Sequence, residues 1–292
     1  MNPYNGFSAA RPDSRGREPN GATSRAVAWW YALLRANAVL SLALWALSAL
    51  AVARGHAALE HESGAACQRQ LLLSAVYVLA CAFRSWFPVY DIPRIVIVNS
   101  RLSSVIVGRS VATVGELCFA AQWATLLHGL GQWSHSPFVQ GAALAIVPLI
   151  VLAEAYSWRA VLTTAQRGHV IENSIWGASA ALAVVSMLVI GPHRIADLYP
   201  PMIACCVGGA AYAAFIFWWD VPMYWSRWLA DQASGRRYLS LGQGLVDVCR
   251  RRVVSRRWED WKGEALWMSL YFTFGVWSSI LIVYACLALG LP

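Results

Sequence analysis

Between Arg84 and Trp123 the chain sets four arginines and two acids in or beside segments apolar enough to lie in a bilayer. An ionisable group at that depth is costly, so it faces the protein interior or a wet cavity and marks a site. Arg109, Thr113 and Glu116 fall at i, i+4 and i+7 and share one helical face. Glu154, Ser157 and Trp158 share another, at i, i+3 and i+4. A buried carboxyl balanced between burial and an arginine can exchange protons with a substrate, the requirement for general acid–base chemistry. Glu116 is therefore the expected catalytic acid or base, with Asp220 or Glu154 as its partner. Arg84, Arg94, Arg109, Thr113 and Asn173 are expected to bind the substrate's polar group. Trp123, Trp158, Trp176 and Trp267 would wall its apolar part.

Other charges have simpler explanations. Glu172 and Glu264 read as the openings of helices, where the dipole favours a carboxylate. Arg159 and Arg227 read as snorkelling residues at the interface. The pattern calls for no cofactor and no metal. The six histidines form no HxxH or HxxxH pair, and the seven cysteines form no CxxC pair. No lysine lies in an apolar span, which excludes a retinal Schiff base. A GxSxG elbow and a phosphate-binding Walker loop are both missing.

The elements that position these residues follow from composition. With 58% hydrophobic residues, 13% charged residues and a mean hydropathy of +0.48, the chain reads as a polytopic membrane protein. The fold class is all-α, a bundle of seven transmembrane helices. The expected spans are 26–53, 70–88, 104–127, 138–163, 171–190, 199–224 and 263–289. Residues 1–24 are expected to form a disordered cytoplasmic tail, followed by a membrane domain over 25–292. Residues 91–103 read as a surface or re-entrant piece. Residues 226–262 read as a polar segment containing a short amphipathic stretch and an arginine cluster.

Charge sets the orientation. Nineteen of the 23 Lys and Arg flank one face of the bundle and three the other, with Arg35 inside a span. By the positive-inside rule the N-terminus is cytoplasmic and the C-terminus is outside. The net charge of +8 is thus a matter of topology, and nucleic acid is not an expected partner.

The expectation is an integral-membrane enzyme, a metal-independent cyclase, isomerase or lipid-modifying enzyme of a bacterial-type plasma (inner) membrane. It would act on a lipid or isoprenoid-type hydrophobic small molecule from a cytoplasm-facing pocket. Membrane lipids are the expected partners, and a homo-oligomer is compatible with the pattern. The alternatives are a proton- or cation-coupled transporter or channel, and a non-catalytic assembly subunit.

Overall fold

The computed structural model describes residues 24–55, 61–191 and 200–290; all but the last residue of the expected tail lies outside them. Seven helices are long and apolar enough to cross a membrane, and they form a multi-pass helix bundle. Helices α1 (Arg25–Gly55), α2 (His61–Trp86), α3 (Val105–Trp133), α4 (Pro137–Thr163) and α5 (Gln166–Ile190) are continuous. The sixth helix, α6, runs Pro201–Phe215, makes one π turn over Ile216–Asp220 and continues as Val221–Ala233. A short helix, α7 (Leu241–Arg250), precedes the seventh span, α8. That span runs Trp258–Leu270, makes a π turn over Tyr271–Gly275 and ends as Val276–Leu289.

Several helices extend beyond the apolar runs in the sequence. The helix α5 begins at Gln166 instead of near 171, and α8 begins at Trp258 instead of near 263. Glu172 and Glu264 therefore sit more than a turn inside their helices, and the dipole does not explain them. Likewise Asp220 does not close its helix but lies in the π turn, with α6 running on for thirteen residues.

The π turn of α6 has a local cause, and that of α8 is met by a neighbouring helix. Pro222 lacks an N–H and its ring crowds the carbonyl four residues back, which favours a wider turn just before it. In α8 the loosened carbonyl of Phe272 accepts a hydrogen bond from Asn37 Nδ2 at 2.9 Å. This gives the intramembrane Asn37 of α1 a partner. Such turns shift side-chain register and recur at functional sites.

Consecutive helices from α1 to α6 pack against one another, and α8 closes the bundle against α1, α2, α3 and α6. Gly168 lets α5 approach α4, since a Cβ there would stand 2.7 Å from Tyr156 O and from the Ala160 methyl. One end of the bundle is filled by an apolar core that includes Leu127, Leu130, Ile150 and Met187. The other end, the basic face, carries a cap absent from the expected elements. There β1 (Val89–Tyr90) pairs antiparallel with β2 (Ile95–Val96), which pairs parallel with β3 (Val253–Val254). Residues 91–103 are thus the turn, second strand and exit of a small sheet. A cluster of Val89, Val96, Val105, Val161 and Val248 pins that sheet to α3, α4 and α7.

Candidate functional site

Under the cap lies a cavity of about 90 Å³, several times the roughly 10–15 Å³ that one water needs. Six elements meet around it. Arg84 comes from α2, Tyr90 and Asp91 from the cap, and Arg109 and Glu116 from α3. Helix α5 supplies Gln166, His169, Glu172, Asn173 and Trp176 on successive turns of one face. From α6 come Tyr212, Asp220, Tyr224 and Arg227, and from α8 Glu264, Trp267 and Tyr271. Asp220 and Tyr271 belong to the two π turns.

Arg109 anchors the α3 side. Its Nη2 donates to Glu116 Oε2 at 3.0 Å and to both Glu154 oxygens at 2.7 and 2.6 Å, with Glu172 Oε1 at 3.7 Å. The arginine reaches along its own helix to Glu116 while bridging to α4 and α5. A relay of donors surrounds it. Trp158 Nε1 donates to Thr113 Oγ1 at 3.0 Å, and that hydroxyl donates to Glu154 Oε2 at 2.5 Å. On the opposite side the Tyr271 hydroxyl donates to Glu116 Oε1 at 3.1 Å, and Arg84 Nη1 lies 4.0 Å from the same oxygen. His169 Nδ1 and Glu172 Oε2 are 2.6 Å apart.

Glu116, Glu154 and Glu172 place carboxylate oxygens within 4.8 Å of one another, a spacing able to hold a metal ion. Here a guanidinium nitrogen occupies the middle of that triangle, and it fixes three elements at one point.

The two expected partners of Glu116 differ. Glu154 stands behind Arg109, its oxygens committed to the guanidinium and Thr113, so it holds the arginine and does not face the cavity. Asp220 lines the cavity, is 6% exposed and makes no hydrogen bond or ion pair among the described residues. Of the expected binding residues, Arg84, Arg109, Asn173, Trp176 and Trp267 reach the cavity, and Thr113 and Trp158 support it from behind.

Two lie elsewhere. Arg94, fully buried, is directed to the far side of the cap. Its Nε donates to Asp247 Oδ2 at 2.9 Å, Nη1 to Asp91 O at 2.6 Å and Nη2 to Val161 O at 2.8 Å. It latches the β1–β2 turn and α7 to the end of α4. Trp123 packs against the apolar core at the other end.

Sequence reasoning passed over Tyr90, Gln166, His169, Tyr212, Tyr224 and Tyr271, explained Glu172 and Glu264 by helix ends, and explained Arg227 by snorkelling to the interface; all of these line the cavity. Burial, with Glu264 opposite it, pushes the Tyr90 hydroxyl above its ordinary range, so Tyr90 stays a protonated donor at neutral pH. The signal available was the i, i+3, i+7 spacing of His169, Glu172 and Trp176, polar and aromatic groups on one face of an otherwise apolar helix.

A second polar network, away from the cavity, explains Gln122. Its Nε2 donates to Gln70 O at 3.1 Å and to Ser279 O at 3.3 Å, and its Oε1 accepts from Ser279 Oγ at 2.5 Å. Gln70, Ser74 and Ser279 complete a seam between α2, α3 and α8. It ties three helices together.

No protein-family model, curated protein or solved structure matches this chain. The cavity has to be understood from its own chemistry. Around and directly behind it stand six carboxylates (Asp91, Glu116, Glu154, Glu172, Asp220 and Glu264) against three guanidiniums (Arg84, Arg109 and Arg227). Carboxylates without a cationic partner, in a pocket walled by indole and phenol rings, take up protons or a cation.

Proposed function

We propose that this protein is an integral-membrane enzyme performing acid–base chemistry on the polar end of a membrane-dissolved substrate, a lipid or an isoprenoid-type molecule. The observation that carries this reading is the exchange-competent position of Glu116. It is buried, it faces an aromatic-walled cavity, and Arg109 and Tyr271 hold it from opposite sides. In this reading Glu116 gives or takes the proton and Asp220 takes the complementary role across the cavity. Glu154 positions Arg109. Trp176 packs against the apolar stem of the substrate.

The reading as an enzyme is compatible with a cavity that reaches only one end of the bundle. A transport path must continue to the opposite face, and there the bundle is closed by Leu127, Leu130, Ile150 and Met187, all fully buried. The cavity lies near the basic face, which this reading assigns to the cytoplasm.

The test compares membranes of cells overproducing the native chain with membranes of cells overproducing Glu116→Gln, by lipid mass spectrometry. The amide keeps shape and most hydrogen bonding but carries no exchangeable carboxyl proton. At least one lipid species should accumulate or disappear with the native chain and revert with the folded variant. Identical lipid profiles from equal amounts of the two folded proteins would overturn the enzymatic reading.

A further inference from the structure

The α6 side of the cavity has more acceptors than the protein satisfies. Asp220, 6% exposed, lines the cavity and accepts no hydrogen bond among the described residues, with the Arg227 guanidinium and His169 in electrostatic range of it. Gln166, 8% exposed, lines the same space with an unpartnered Oε1, and Asp91 Oδ1 is also unpartnered. Among the described residues Arg109 Nε is buried without an acceptor, and Arg227 lines the same cavity with its guanidinium over the Tyr224 ring at 5.4 Å. Buried acceptors left open cost stability unless something donates to them.

The walls say what kind of donor. Trp267 lies between Tyr212, with ring centroids 6.1 Å apart, and Tyr271, at 5.5 Å. Tyr224 lies tilted against His169 at 5.0 Å and its face already carries the Arg227 guanidinium at 5.4 Å, so the open aromatic faces are on the Trp267 side. Aromatic faces attract organic cations, most strongly when both are removed from water. A metal ion would need several oxygens converging on one point. Among the described residues the acids close enough for that are Glu116, Glu154 and Glu172, whose centre Arg109 fills.

We propose that the Asp220 side of the cavity binds an ammonium group, held by Asp220 and Gln166 and enclosed by Trp267, Tyr212 and Tyr271. The free space of about 90 Å³ suits a small amine and not a lipid body. The amine has two sources, the headgroup of an aminophospholipid or a soluble amine co-substrate. This inference rests on the enzymatic reading and names the substrate class of that same site.

The experiment uses the full chain in phosphatidylglycerol nanodiscs, which contain no amine. Ethanolammonium chloride is titrated while tryptophan fluorescence and unfolding temperature are followed, with sodium and magnesium chloride at matched ionic strength as controls. In parallel, native mass spectrometry reads whether phosphatidylethanolamine is retained in preference to phosphatidylglycerol. Saturable binding of either amine, at least tenfold weaker in Asp220→Asn and in Gln166→Leu, is the expected result. Ethanolammonium binding identifies a soluble amine; selective phosphatidylethanolamine retention identifies the lipid.

A second readout needs no ligand. An acidic side chain kept for a ligand and not for packing should cost stability, so Asp220→Asn should unfold at a higher temperature than the amine-free native chain. Absence of amine binding in both arms, binding unchanged in both variants, or stronger binding of magnesium or sodium would each overturn the proposal. These outcomes are separable from failure of the enzymatic reading, which is judged on Glu116 and on lipid turnover.

Discussion

Arg109 is the residue on which the site turns. Its guanidinium, 5% exposed, touches or approaches carboxylates from α3, α4 and α5. Nη2 alone makes all of these contacts, and a lysine, with its shorter side chain, would not bring its ammonium to that point. Removing one member of a buried charge cluster leaves the others uncompensated, typically at about 3–5 kcal/mol. Arg109→Ala should therefore lose most of its folded yield, and Arg109→Lys should unfold well below the native chain in detergent. Pairing Arg109→Met with Glu116→Leu should not restore stability, since Glu154 and Glu172 remain charged. Adding Glu154→Leu should recover part of it. Thermal unfolding of the purified variants checks this series; full recovery by the double variant would show that Glu116 alone is the partner.

At the scale of elements, the cap decides whether the cavity is closed. The turn after β1 contributes Asp91 to the lining, while Arg94 of the same turn adopts a left-handed backbone (φ 61°) and reaches away to Asp247 on α7. Glycine 244 lets α7 lie directly on the backbone of Leu162 at the end of α4, where any Cβ would collide. Cutting the latch with Arg94→Ala removes three hydrogen bonds from a charged donor and leaves Asp247 without this partner. At about 1.5–3 kcal/mol for a hydrogen bond to a charged group, the loss should be felt locally first. Hydrogen–deuterium exchange over 241–250 should rise by at least tenfold while exchange within α3 and α4 stays unchanged. Equal exchange in the two proteins would show that the valine cluster and the β2–β3 pairing hold the cap without the latch.

For the whole molecule, the open question is which face meets the cytoplasm. Cys249, on α7 at the basic face, is exposed, whereas the other six cysteines are buried or half-buried within the spanning helices. A membrane-impermeant maleimide should leave Cys249 unmodified in intact cells and label it in inside-out vesicles. Labelling of intact cells at Cys249 would reverse the orientation and place the cavity on the outer side. The nineteen-to-three distribution of Lys and Arg is the basis for expecting the cytoplasmic result.

Seven spans were legible in the sequence because the free energy of a helix in lipid depends mainly on its own composition, a local property. So was the shared face of Arg109, Thr113 and Glu116, since helical geometry fixes which residues of one helix stand together. Glu172, Glu264 and Asp220 were harder. Their flanks, QRGHVIE, WEDWKGE and FWWDVP, look like helix ends because they are polar or contain proline. Helices continue through them with one face packed on the neighbouring elements (Gln166, His169, Asp220, Trp261 and Glu264 are buried) while residues such as Arg167, Trp218 and Lys262 stay exposed. The pairing of β2 with β3 joins residues more than 150 positions apart, and no two-residue strand announces its partner. Sequence alone therefore determined the membrane bundle and one helix face of the site. Tertiary packing decided that α5, α6 and α8 bring their acids and aromatics to the same cavity, because that meeting depends on contacts between helices and not on the makeup of any one of them.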